Sequence, residues 1–133
     1  MVDLTQTHPE LLHRIGIVLN AMQAARCPMK ICQATRTTAQ QAALYAQSRS
    51  APGLKVTNRD GVRYVSKHQI QPDGYSHAVD CCFLGDDPFA DSHPWGRYAD
   101  ELVKAGLVAG AHWAHPDRPH AELPSLPAGT VRA

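Results

Sequence analysis

Near the start of the chain Leu11, Leu12, Ile15, Val18, Leu19 and Met22 recur at helical spacing, the stripe a helix lays against a core. Thr7 and Glu10 have capping-box spacing, and Pro9 fits a first turn that needs no backbone N–H. A helix is therefore predicted from there to a point before Cys27-Pro28. The period then changes to two: Met29, Ile31 and Gln33 alternate with Lys30, Cys32 and Ala34, which predicts a strand. After a turn at Thr35-Arg36-Thr37, Thr37 or Thr38 can cap a second helix over Ala39 to Gln47, with Ala42, Leu44, Tyr45 and Ala46 as its packing face. Ser48 to Tyr75 is polar and rich in turn formers, a long loop region in which Lys55-Val56-Thr57 and Val62-Arg63-Tyr64-Val65 can pair as a hairpin. Ala78 to Leu84 is predicted as a buried strand. Asp91 or Ser92 caps a third helix with Pro94 in its first turn, Trp95, Tyr98, Leu102 and Val103 inward, and its end near Gly106. A last strand is expected around Ala121-Glu122-Leu123. The expected fold class is α+β, a small antiparallel sheet flanked by three helices, in one domain over residues 1–133 with a frayed tail from 124.

Composition adds mainly exclusions. The 133 residues are 44% apolar and carry a net charge of +1, and surface scaling has a chain of this mass bury roughly two-thirds of its surface. No Lys/Arg cluster is dense enough for a phosphate backbone, so nucleic acid is excluded as a partner. No run approaches the roughly 18 apolar residues of a membrane span, and Met-Val-Asp-Leu-Thr-Gln-Thr has neither the basic nor the apolar part of an export signal. Cys27, Cys32, Cys81 and Cys82 are accordingly expected as free thiols. The unusual feature is eight histidines, six of them in the second half.

Metal-competent residues concentrate in two segments, Ser66-Lys67-His68 through Ser76-His77-Ala78-Val79-Asp80, and Ala114-His115-Pro116-Asp117-Arg118-Pro119-His120-Ala121-Glu122. Catalytic zinc keeps three protein ligands and an open position, and two neutral imidazoles with one carboxylate leave the ion a net positive charge and a strong Lewis acid. Asp117 lies three residues before His120 between two prolines; a polyproline II segment would turn both side chains the same way, placing the carboxylate to act as general base. Cys81 and Cys82, as neighbours on a strand, point to opposite faces and cannot both bind one ion; Cys82 shares the face of Asp80. Trp95 reads as core, and Trp113 as either core or a cleft wall. His8, His13, His93 and His112 read as surface or satisfied residues.

Ser-x-His, a glycine, Ala-x-Asp, then Asp-x-Pro-His with a Glu two residues on resembles the zinc peptidase family of D-Ala-D-Ala carboxypeptidases, D-Ala-D-Ala dipeptidases and phage L-alanyl-D-glutamate endopeptidases. Ala34-Thr35-Arg36-Thr37-Thr38-Ala39-Gln40-Gln41-Ala42-Ala43-Leu44-Tyr45 is similar to the family's Arg-containing turn and following helix, so the resemblance spans residues 30–123. It implies His68, Asp80 and His120 as zinc ligands, Asp117 as catalytic acid/base, and Arg36 as the group that holds the substrate carboxylate or the developing oxyanion. His77, three residues before Asp80, is the competing ligand; the Ser-x-His context favours His68. The separation 80 − 68 = 12 is longer than the family's compact motif, an insertion expected as a lengthened turn around Gln71-Pro72-Asp73-Gly74. Val108-Ala109-Gly110-Ala111-His112 stands where the family more often has Trp-Gly-Gly before its Trp. The implied activity is hydrolysis of the L-Ala-D-Glu bond of a peptidoglycan stem peptide by a monomeric, zinc-dependent, endolysin-like enzyme, held in the host cytoplasm until lysis. The alternatives are a D-Ala-D-Ala carboxypeptidase or dipeptidase, and a non-catalytic zinc-stabilised binding module.

Overall fold

A computed structural model describes residues 2–47, 49, 57, 59–62 and 65–125. Those residues form three α-helices and a four-stranded antiparallel sheet, an α+β fold: α1 (Pro9–Ala24), β1 (Met29–Gln33), α2 (Thr38–Ala46), β2 (Ala78–Phe83), α3 (Trp95–Lys104), β3 (Val108–Ala109) and β4 (His120–Glu122). A single 3-10 turn, Gly110–His112, follows β3. The spatial order is β1-β2-β4-β3, which makes β2 and β4 the interior strands.

Alternation along β2 separates core from site. Val79, Cys81 and Phe83 join Leu11, Ile15, Val18 and Met22 of α1 and Trp95, Tyr98, Ala99 and Leu102 of α3 in one buried cluster, while Asp80 and Cys82 project from the other face, as the period of two requires. β4 repeats the division, with Ala121 in the core cluster. Trp95 is thus core, and Cys82 shares the face of Asp80. All four cysteines are free. No helix among the described residues is long and apolar enough to cross a membrane.

Several local expectations are corrected. The cap of α1 is His8, whose Nδ1 accepts the Glu10 N–H at 3.0 Å. Thr7 is drawn away into a bridge with Ser76, and its hydroxyl is buried without a partner. Helix α3 has Pro94 at its cap with no side-chain bond, because Asp91 pairs instead with Arg118; Val103 is exposed. On α2 the capping box is Thr37 with Gln40, but the buried residue is Gln41 and Ala42 is exposed. That face turns toward a polar neighbourhood, not toward the core. The strand β3 has only two residues, too short for periodicity to reveal. The hairpin expected over 55–65 falls largely outside the described residues, as does most of the tail from 124. The lengthened turn is present: Gly74 N–H donates to Gln71 O, Gln71 N–H to Tyr75 O, and Gly74 takes φ +89°, conformationally open to glycine.

Candidate metal centre and active site

Register builds the site. Asp80 and His120 are direct cross-strand partners in the β2–β4 pairing, a position that brings Cβ atoms to roughly 5 Å. His120 Nδ1 lies 3.5 Å from Asp80 Oδ1. The third member arrives from the loop before β2: His68 is buried and its Nε2 lies 3.2 Å from the same oxygen. His68, Asp80 and His120 therefore offer three ligand atoms within 4.8 Å of one another. His77 is not among them; its Nε2 is 2.6 Å from Asp73 Oδ2.

The outer nitrogens decide what the inner ones can do. His68 Nδ1 faces the Ala34 carbonyl at 2.8 Å, and His120 Nε2 faces the Glu122 carboxylate at 2.8 Å. Both partners accept only, so in the neutral rings the protons sit on these outer atoms. The inner Nε2 of His68 and Nδ1 of His120 are then bare lone pairs, turned on a carboxylate oxygen. Three acceptors at such range repel unless a cation lies between them: a metal ion, or in the metal-free protein a proton taken up on an inner nitrogen and donated to Asp80. A tetrahedral ion with bonds of about 2.0–2.1 Å sets its ligand atoms roughly 3.3 Å apart, close to the 3.2 and 3.5 Å found here. The residues fit a zinc ion.

Asp117 stands beside this group, its Oδ2 3.9 Å from His120 Nδ1. The shared direction expected of Asp117 and His120 is present, but a tight turn supplies it: His120 N–H donates to Asp117 O at 3.2 Å. The turn is pinned from several sides. Tyr98 Oη and Cys81 N–H donate to Pro119 O, and Asp117 N–H to Gly110 O. Gly110 is required by contact: a Cβ there would fall 2.4 Å from Asp117 O and 2.8 Å from His120 Cβ. Trp113 tilts over the His120 ring, centroids 4.7 Å apart, and is 40% exposed. It stands at the edge of the site and outside the core cluster.

Arg36 meets the other oxygen of Asp80. Nη2 is 3.5 Å from Asp80 Oδ2 and donates to Gln33 Oε1 at 2.6 Å, while Nη1 donates to Gln41 Oε1 at 3.0 Å. The fully buried Gln41 in turn donates to Thr57 Oγ1 and Arg59 O, so α2 and the loop beyond it set the plane of the guanidinium.

No protein-family model matches the chain. Among solved structures it is similar to the L-Ala D-Glu endopeptidase ChiX of Serratia marcescens, at 16% identity and TM-score 0.56, over 93% of this chain and 90% of that one. It is similar also to the LD-carboxypeptidase LdcB, at 15% and 0.63 over 90% and 66%, and to the vancomycin-resistance D,D-pentapeptidase VanY, solved with Zn(II), at 13% and 0.60 over 88% and 72%. The chain has the fold of these peptidases. The motif-level resemblance and the three-dimensional match thus point to the same group.

Within that peptidase fold, charge is arranged in opposed pairs. Burial pushes the Asp80 carboxyl up, but bonds from His120 and His68 outweigh it and hold it well below the usual carboxylate range. Burial disfavours the His120 imidazolium, yet Asp80 and Glu122 raise its pKa to about 9. Asp117 goes the other way from Asp80: burial, then the negative charge of Asp80, raises its pKa, the direction that suits a proton carrier. Glu122, Gln33 and the Ala34 carbonyl were not assigned from sequence. Glu122 had a signal, since a residue two beyond a strand histidine shares its face.

Proposed function

We propose that this protein is a zinc-dependent peptidoglycan endopeptidase that hydrolyses the L-Ala-D-Glu bond of the stem peptide. The observation that carries the reading is the convergence of ring nitrogens of His68 and His120 on the Asp80 carboxylate, with Asp117 beside them. His68, Asp80 and His120 would hold the metal. Zinc bound there supplies a Lewis acid that activates water and polarises the scissile carbonyl. Asp117 takes the proton of the attacking water and delivers it to the leaving amine, for which its raised pKa fits. Glu122 and the Ala34 carbonyl orient the two imidazoles, as outer partners of metal-bound histidine do. Arg36, its plane set by Gln33 and Gln41, neutralises the substrate carboxylate or the charge developing on the carbonyl oxygen.

The choice of bond is supported by two observations. Trp113 lies exposed against the His120 ring, and His115, two residues before Asp117, is exposed as well, which suits a groove open to an internal bond. ChiX, an L-Ala D-Glu endopeptidase, is also among the structures that share this fold. An endolysin-like role in lysis belongs to the same reading. Mass spectrometry of digests of purified sacculi tests it: the expected product is a stem cut between L-Ala and D-Glu, without need of a terminal D-Ala-D-Ala. Release of D-Ala as the main product would make the enzyme a carboxypeptidase, and binding without cleavage would make it a binding module.

A further inference from the structure

A second group of metal-competent side chains lies outside the site above: His8, Asp73 and His77, whose ligand atoms also fall within 4.8 Å of one another. It has the same composition as the first and a similar arrangement of its two rings. The two imidazoles are 5.3 Å apart between centroids at 85°, against 5.1 Å and 74° for His68 and His120. Asp73 Oδ2 sits between them, 2.6 Å from His77 Nε2 and 3.9 Å from His8 Nε2. These distances straddle the roughly 3.3 Å between ligands of a tetrahedral ion, so a shift of well under 1 Å per atom makes them equal. His77 is buried and His8 half-buried, which leaves an approach for an ion from the His8 side.

We propose that His8, Asp73 and His77 form a second site, for a borderline divalent cation of the zinc or cobalt class. Two imidazoles and one carboxylate suit such ions better than calcium or magnesium, which take oxygen ligands. The site has a structural part to play. It joins the cap of α1 to the turn that precedes β2, where Ser76 already exchanges backbone bonds with Gln6 and His8. Ser76 Oγ also meets Thr35 Oγ1 at 2.7 Å. An ion here braces the segment that separates His68 from Asp80. Affinity is limited by competing bonds: an ion must displace the proton shared between His77 Nε2 and Asp73 Oδ2 at 2.6 Å, and because His8 Nδ1 accepts the Glu10 N–H, the neutral His8 ring carries its proton on Nε2, so coordination through Nε2 gives up the cap. Loss of a cap weakens binding roughly 2- to 30-fold, which makes this site the weaker of the two.

Titration of the metal-free full chain with Co2+, followed by absorption and by metal quantification after gel filtration, tests the proposal without recourse to activity. Wild type is expected to take up two equivalents, the second raising the melting temperature further. His8→Asn keeps a good helix cap but removes the ligand, and Asp73→Asn keeps the shape of the carboxylate; each should lose the second equivalent and retain the first. His68→Ala should do the reverse. One equivalent in wild type that persists in His8→Asn and Asp73→Asn overturns the second site. One equivalent that persists in His68→Ala and vanishes in His8→Asn upholds it and removes the metal from the proposed peptidase site instead.

Discussion

Glu122 touches no proposed substrate position, yet neutralising it should be felt at the metal and in the pH dependence of the fold. His120 is almost wholly buried, and the carboxylates of Asp80 and Glu122 overcome that burial to raise its pKa from 6.5 to about 9. A shift of that size corresponds to about 3 kcal/mol in favour of the imidazolium. If Glu122 holds half of it, Glu122→Gln should lower the His120 pKa by about one unit in the metal-free protein. Because the folded-state pKa is raised, His120 stabilises the metal-free fold fully below its unfolded value near 6.5 and stops doing so as pH rises through about 9. The melting temperature of metal-free wild type should therefore fall across that window, and Glu122→Gln should flatten the fall. With metal bound, the same carboxylate polarises the imidazole, and its loss should weaken metal affinity by about 10- to 100-fold. Histidine resonances followed by NMR against pH, thermal melts between pH 6 and 10, and competition with a chromophoric chelator make the three measurements. An unmoved His120 titration together with metal affinity within about twofold of wild type would refute the reasoning.

Asp117→Asn should retain metal while turnover on sacculi falls by at least about 10²-fold. In the metal-free protein the same change should raise the melting temperature at neutral pH and not at acid pH, since a carboxyl of raised pKa opposes folding only once ionised; melts at pH 3 and pH 7 check the sign. Arg36→Lys preserves charge but not the planar fork held by Gln33 and Gln41, so kcat should fall by about tenfold or more with metal content and folding intact; wild-type kinetics would return Arg36 to a bystander. Gly110→Ala forces a methyl into Asp117 O and should cost about 1–3 kcal/mol of stability, measured by urea unfolding, with activity lost alongside.

Much of the scaffold was legible because its signals are repetitive. The α1 stripe, the alternation of β1 and the apolar run of β2 each depend on many residues agreeing, and the motif spacing singled out His68, Asp80, His120 and Asp117, which the fold brings together. What stayed hidden depends on single tertiary contacts. His8 takes the cap of α1 because Ser76 recruits Thr7, and Asp91 leaves α3 uncapped because Arg118 recruits it. Neither partner is near in sequence. Gln41 is buried on an otherwise alanine-rich helix because Arg36 needs an acceptor there, a demand that no hydrophobic pattern records. The turn at Asp117 is likewise set by Gly110, Tyr98 and Cys81, not by the prolines within it.

The pairing of Asp80 directly opposite His120 has a consequence for folding fidelity. In a sheet, sliding one strand by a single residue turns every side chain to the other face, and β4 offers only three residues to resist such a slip. A slipped β4 would send Ala121 outward and leave His120 and Asp80 on opposite sides, with no point at which an ion could touch both. An ion that needs both side chains binds only the correct alignment, and ligand binding stabilises what it binds in proportion to the logarithm of its concentration over Kd. Metal in this protein would thus act as a proofreader of strand alignment, rewarding one register of a short interior strand that its own backbone bonds distinguish poorly.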